Sequence, residues 1–383
     1  MHIVWTWLTN RLSSNTLRTI ASMILTILFF SYAIRYFITG QCGAGGNCRH
    51  RHDVKRLAEV HKAHSGVINS VILADGLVWT AGADTSLRSW RPVPGAEGLE
   101  LQPAGPPVEC GEPVTSLCWD ASRKALICGL NSGIIRVFTR EPLGQLDLHG
   151  HTAAVYSIVL FQNILITASW DGSVRTWQGD NLAAGMTIES SRIPIGSIRL
   201  LKIFGGKMWL GGVLGVCAID LQTLQVSLSI GCESPVMAIV EYSPTDSVIV
   251  ATLSGSIKFI QQQTGLVTQT IELQEIESHS GMHTQGKGKG KGHSNYSWSA
   301  KGNANGIVSL EGMMLGNSGK PVIVIGDQSG TCKVVELPSF ELRGLWFAHS
   351  KGSDIRNILN TNENSIFITT ASDGCMAVWQ WQI

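Results

Sequence analysis

Charge is scarce in this sequence: Asp, Glu, Lys and Arg make up 15% of 383 residues and cancel to a formal net charge of +1. So low a charged fraction argues against a disordered chain, and so even a balance gives no global field for nucleic acid or an acidic partner. Any such site must be local. A regular cysteine framework is also missing. Cys110, Cys118, Cys128, Cys217, Cys232, Cys332 and Cys375 lie singly in apolar runs, which excludes a secreted disulfide scaffold and fits buried thiols in a reducing compartment. Catalytic signatures are absent too: there is no HExxH, no GxSxG nucleophile elbow and no paired carboxylates at a plausible cleft. GMHTQGKG (281–288) has the glycines and lysine of a phosphate loop, but Gly288 replaces the required Ser or Thr and no strand–helix context frames it. These absences disfavour an enzyme.

What is present is repetition. Glycine, at 42 residues, suits many short strands joined by tight turns. Three segments align without gaps in their core: AHSGVINSVILADGLVWTAGADTSLRSW, GHTAAVYSIVLFQNILITASWDGSVRTW and AHSKGSDIRNILNTNENSIFITTASDGCMAVW. In each, a Thr lies four residues before an Asp and a Trp six residues after it: Thr80, Asp84, Trp90; Thr167, Asp171, Trp177; Thr369, Asp373, Trp379. His64, His151 and His349 stand 20 to 24 residues before the Asp. The set reads as a structural relay: the turn Asp accepts from the His ring, the ring bonds the Thr hydroxyl, and the Trp indole N–H ends the chain, so that every buried polar group is paired. Such a relay locks one sheet together and carries no chemistry of its own.

These segments resemble WD40 repeats, whose blades are four-stranded antiparallel sheets. Four weaker blades fill the intervals, with Ser132, Val213, Ser254 and Ser329 at the relay Asp position, and are expected to rely on apolar packing between neighbours. The count is seven blades in an all-β propeller. The chain stops one strand short of a complete last blade, so VKRLAEVH (54–61) is expected to supply the outer strand and close the ring.

Immediately upstream, Cys42, Cys48 and His52 have the spacing C-x5-C-x3-H, three of the four ligands of a tetrahedral zinc site. With YFITGQC before them and GKPVIVIGDQSGTCKVVELPSFELRG and AVWQW at the far end, the chain resembles the plant-type CCCH zinc finger and WD40 repeat proteins over roughly residues 36 to 383. In that family the finger reads C-x7-C-x5-C-x3-H; here Ile34 occupies the first ligand position, and His50 could substitute only with distortion. The resemblance implies zinc, and RNA or DNA binding by the finger, with Tyr36 and Phe37 as stacking residues and Arg49 and Arg51 as phosphate contacts. A degenerate finger whose cysteines are ordinary thiols in a linker stands as the competing reading.

The N-terminal 34 residues do not resemble the family. Residues 19 to 34 are about sixteen mostly apolar positions, read as a helix, between Arg18 and Arg35 and somewhat short of the roughly 20 that span a bilayer. Two readings stand open: a membrane anchor, or a gene-model artefact, which the abrupt start of the resemblance favours. The division is therefore 1–34 as a non-family segment, 35–53 as a partial finger, and 54–383 as a propeller carrying a low-complexity Gly/Lys-rich loop at 276–306. The expectation is a monomeric, non-catalytic scaffold in the nucleus or cytoplasm, binding proteins through the propeller faces and RNA or DNA through the finger. A purely protein-binding propeller with a dead finger and a membrane-tethered adaptor are the alternatives.

Overall fold

Alternation of apolar and polar residues sends every second side chain to the same face of a strand, so the repeats form short antiparallel ladders. The computed structural model describes residues 54–95, 98–140, 143–279, 306–315, 320–361 and 365–381. One helix, Leu273–His279, and two short 3-10 turns interrupt an otherwise all-strand chain among these residues.

The strands group into seven antiparallel sheets. Six have four strands in up-and-down order; the sheet that starts at residue 68 has five, because Val108–Glu109 adds to its third strand, Ser86–Gly95. Numbered from there, the blades begin with the strands Ile68–Ala74, Val114–Asp120, Val155–Phe161, Ile198–Phe204, Val236–Tyr242, Ile307–Leu315 and Ile355–Asn360. Each of these first strands packs against the next, and the seventh against the first, so they surround one axis. The chain is a seven-bladed β-propeller.

Closure joins the two ends of the ring. Val54–Val60 pairs antiparallel with Met376–Trp381, giving the seventh sheet its outer strand. This covers a sheet edge that would otherwise present unpaired backbone groups. Ala58 from the closing strand and Met376 and Val378 from its partner share one buried cluster with Ile68, Val71 and Trp90 of the first blade.

The core lies between blades. Seven apolar clusters occupy the seven joints, one each, as expected when no blade can bury its two faces alone. Polar clasps from first-strand side chains add to five joints. Asn69 Nδ2 donates to the Val114 carbonyl (2.8 Å), Ser116 Oγ to Val155 (2.7 Å), Ser157 Oγ to Leu201 (3.3 Å), Ser309 Oγ to Ile355 (2.7 Å) and Asn357 Nδ2 to Ile68 (3.3 Å). In blades 4 and 5 the position of Ser116 holds Leu200 and Ala238; the joint of blades 4 and 5 is clasped instead by Lys207 Nζ, which donates to the Gln262 carbonyl, and apolar side chains pack the joint of blades 5 and 6.

The insertion after blade 5 opens as the helix Leu273–His279, with Leu273 and Ile276 buried in the joint between blades 5 and 6. Residues 280–305 of the Gly/Lys-rich run lie outside the described residues, as do the apolar segment 1–34 and the finger segment 35–53. No helix among the described residues is long and apolar enough to cross a membrane.

Candidate functional site

The relays sit where the turn after the second strand meets the loop entering the first strand of the same blade. In blade 1, His64 Nδ1 lies 2.8 Å from Asp84 Oδ1 and its Nε2 lies 2.8 Å from Thr80 Oγ1, while Trp90 Nε1 donates to the same hydroxyl at 2.9 Å. A carboxylate only accepts, so the ring proton is on Nδ1. Nε2 then accepts from Thr80, and the indole N–H finds the hydroxyl's lone pair. Blade 3 repeats this with His151, Asp171 (2.9 Å), Thr167 (2.9 Å) and Trp177 (3.1 Å). In blade 7, His349 bonds Thr369 at 2.9 Å, Trp379 donates to Thr369 at 2.9 Å, and Asp373 stands 3.3 Å from the ring. Thr80, Thr167 and Thr369 are fully buried.

Burial alone would raise the Asp84 carboxyl, but hydrogen bonds from His64, the Ser65 N–H and Ser86 overcome it and bring it down to about 2. Asp171 and Asp373 are likewise held well below the usual carboxylate range, against burial, by His151 and His349 and by backbone donors. Burial also lowers His64, outweighing the attraction of Asp84, so this pair is a neutral imidazole on an ionised carboxylate. A fifth member was not singled out from sequence: Ser86 and Ser173 hydroxyls donate to Asp84 (2.9 Å) and Asp171 (2.7 Å). The repeated D-x-S spacing carries that signal; in blade 7 the position is Cys375.

The weaker blades revise the expectation of purely apolar support. In blade 2 the Ser132 N–H and hydroxyl both donate to Glu112, at 2.8 Å each, so that turn and loop are joined with the carboxylate on the loop instead of the turn. Arg136 grips Asp147 through Nε and Nη2 (2.7 and 2.6 Å) and donates to the Cys110 carbonyl. In blade 6 the acid has moved two residues, to Asp327, where it binds the Lys333 ammonium and accepts from Ser329 and Thr331. Lys333 occupies the same register position as Arg88, Arg136, Arg175 and Lys258, a basic column visible in SLRSW, IIRVF, SVRTW and SIKFI.

All seven first strands share one irregularity. Each ladder slips by one residue at its second position, a β-bulge that leaves one residue per blade unpaired and re-aims its side chain. The seven are Asn69, Thr115, Tyr156, Arg199, Met237, Val308 and Arg356. They lie at the relay end of the innermost strands, around the mouth of the channel. Thr115 and Val308 are buried; the five that are partly exposed, Asn69, Tyr156, Arg199, Met237 and Arg356, differ between neighbouring blades, the variation expected of a contact surface on a fixed scaffold. Trp170 and Leu214, 39% and 60% exposed, stand on adjacent turns of this loop face. At the opposite rim a cavity of about 1000 Å³ is lined by Lys202, Tyr242, Glu311 and Met313, with burial pushing the Glu311 carboxyl up despite Lys202.

Closed seven-fold architecture, relays on one rim and first strands bulged toward the axis together define a WD40-type β-propeller, a fold that generally serves as a non-catalytic scaffold for protein contacts. The family described as WD domain, G-beta repeat matches residues 141–178, the stretch that holds His151 through Trp177. Across 91% of its length the chain is 24% identical to Zinc finger CCCH domain-containing protein 17 of Oryza sativa subsp. japonica, covering 72% of that protein. Across 38% of its length it is 24% identical to Zinc finger CCCH domain-containing protein 48 of Arabidopsis thaliana, covering 33% of that one. Among solved structures it is similar to the WD40 β-propeller domain of Doa1, with a TM-score of 0.63 at 15% identity over 86% of this chain and 97% of that one. It is also similar to the computationally designed Ika8 protein, with a TM-score of 0.57 at 16% identity over 85% of this chain and 99% of the other.

Cys42, Cys48, His52, Tyr36, Phe37, Arg49 and Arg51 lie outside the described residues. Among the described residues no three metal-ligating side chains converge. The seven cysteines there are free thiols, and burial pushes Cys118 up to about 11 and Cys217 up to about 12.

Proposed function

We propose that this chain is a non-catalytic scaffold that binds protein segments across the loop face of its propeller. The observation that carries the reading is the set of five partly exposed bulged residues, chemically varied, set on a frame that the relays clasp at the same rim. The relay histidines and aspartates, paired residues suited to acid–base chemistry, are spent inside the blades. The reading is tested by comparing the proteins that co-purify with the parent chain, with a Trp170→Ala/Leu214→Ser variant on the loop face, and with Leu266→Ser on the opposite rim. Partners lost only from the loop-face variant support it; identical partner sets in all three sink it.

A second activity, nucleic-acid binding through the segment 35–53, is favoured by the names of the plant relatives and by the C-x5-C-x3-H spacing. Its donor set is Cys42, Cys48 and His52, one short of the four that a closed structural zinc site uses. Zinc content of the purified protein and recovery of crosslinked RNA by the parent and by Cys48→Ser test this arm. About one zinc per chain and a loss of RNA in the variant are expected if it is active. The nucleus or cytoplasm is the proposed location, with a membrane-tethered adaptor as the reading that fractionation would reveal.

A further inference from the structure

Arg199 is an arginine in an unusual position. Its guanidinium lies 5.7 Å from the ring centre of Tyr156 and 5.9 Å from that of Trp170, and these two rings meet edge to face at 5.7 Å. The bulge in the first strand of blade 4 frees the residue. The Ser157 hydroxyl, which donates to the Leu201 carbonyl and accepts the Leu201 N–H, fixes that strand against blade 3, so Arg199 reaches back over its neighbour's rings. Among the described residues the guanidinium makes no hydrogen bond and no ion pair.

A planar cation carries five donors, and stacking on aromatic faces orients them without using them. The environment adds a second cation. Burial lowers the Arg199 pKa, and the like charge of Arg356, the bulged residue of blade 7 across the ring, lowers it further while Tyr156 opposes the shift. Arg356 pairs with Asp354 through Nη2 at 3.2 Å, yet its Nε is buried without a partner. The carboxylate beside Trp170 is already occupied, since Asp171 accepts from His151, Thr152 and Ser173. The mouth thus holds two arginines with unspent donors, Arg199 with its whole guanidinium and Arg356 with its buried Nε.

We propose that this mouth is a site for an acidic side chain: the carboxylate of Asp or Glu, or the phosphoryl group of a phosphorylated residue, on a peptide laid across the loop face. Arg199 and Arg356 receive the anion, and Trp170 and Leu214 cover its apolar neighbours. This rests on the loop-face reading above and gives it a partner chemistry. A single-stranded nucleic acid would need a track of cations and several open stacking faces; here Arg199 already lies against the Trp170 ring.

The test uses the full-length protein and short fluorescent peptide pools that differ only in a central glutamate, phosphoserine, glutamine or lysine. Fluorescence polarisation should show the glutamate or phosphoserine pool binding roughly tenfold tighter than the glutamine pool. The preferred acid identifies the source of the anion. That advantage should vanish in Arg199→Gln and Arg356→Gln and survive in Arg91→Gln, an exposed arginine on the third strand of blade 1. Thermal melts matched to the parent show that the variants are folded. An acid preference that persists in a folded Arg199→Gln overturns the proposal. Equal binding of all pools, abolished by Trp170→Ala/Leu214→Ser, overturns it while leaving the loop-face reading intact. Displacement of the peptide by oligouridylate at equal concentration, dependent on Arg199, also overturns it by making the mouth a nucleic-acid site.

Discussion

Lys333 and Asp327 form an ion pair sealed inside blade 6, with side-chain exposures of 2% and 1%. Burial would raise the aspartate, but the charge of Lys333 beside it and the hydroxyls of Ser329 and Thr331 hold it below the usual carboxylate range. The pair binds the end of the second strand to the third, as the Trp-to-Thr hydrogen bond does in blades 1, 3 and 7.

Breaking this pair from one side leaves an uncompensated buried charge. Lys333→Met is expected to cost about 3–5 kcal/mol, whereas Asp327→Leu/Lys333→Met together should recover most of that loss, because two desolvation penalties disappear with the attraction. Urea unfolding of the two variants measures the difference. A double variant as unstable as the single one would show that the pair holds the blade through something other than charge balance.

The relay makes a different prediction, since its centre is one hydroxyl. Thr80 accepts from Trp90 and donates to His64, so Thr80→Val orphans two buried groups at once and should cost about 2–4 kcal/mol. Thr167→Val should cost a similar amount, and the two losses should add, because the sites lie in separate blades with no shared partner. Thermal denaturation of the single and double variants gives the comparison.

Acid should destabilise the fold in two steps. His64 has a folded pKa below its ordinary 6.5, so as the pH falls below 6.5 the unfolded chain takes up a proton that the folded chain resists, and stability declines. Asp84, Asp171 and Asp373 have depressed folded pKa values. Their contribution is fully present above the ordinary carboxylate range and is lost as the pH falls through it, toward about 2 for Asp84. Denaturant midpoints followed from neutral pH downward should show both declines, and His64→Asn should flatten the first.

Three blades were legible because His, Thr, Asp and Trp must recur at fixed spacing for the hydrogen bonds to close. Blade 6 satisfies the same need with Asp327 two positions early and a lysine in place of the histidine, so spacing alone could not find it. The joint clasps were hidden for another reason. Ser116 and Ser309 are unremarkable in a strand until the neighbouring blade brings a carbonyl to 2.7 Å. Arg199 was invisible for the same reason, because its setting comes from Tyr156 and Trp170 on another blade. The bulged ring follows from register, which the hydrophobic pattern fixes only after strand pairing is known.

Ring closure offers a last prediction, on the strand Val54–Val60. Its six paired positions with Met376–Trp381 cover the edge of blade 7, and Ala58 helps bury the joint with blade 1. A chain lacking residues through Val60 should leave Met376–Trp381 as a bare apolar edge, the arrangement that recruits a strand from another molecule. Size-exclusion chromatography should then show that shortened chain shifted to higher assemblies, and a synthetic peptide of residues 54–60 added in trans should restore the parent's elution. A shortened chain that elutes and melts like the parent would mean that the remaining joints hold the ring without this strand.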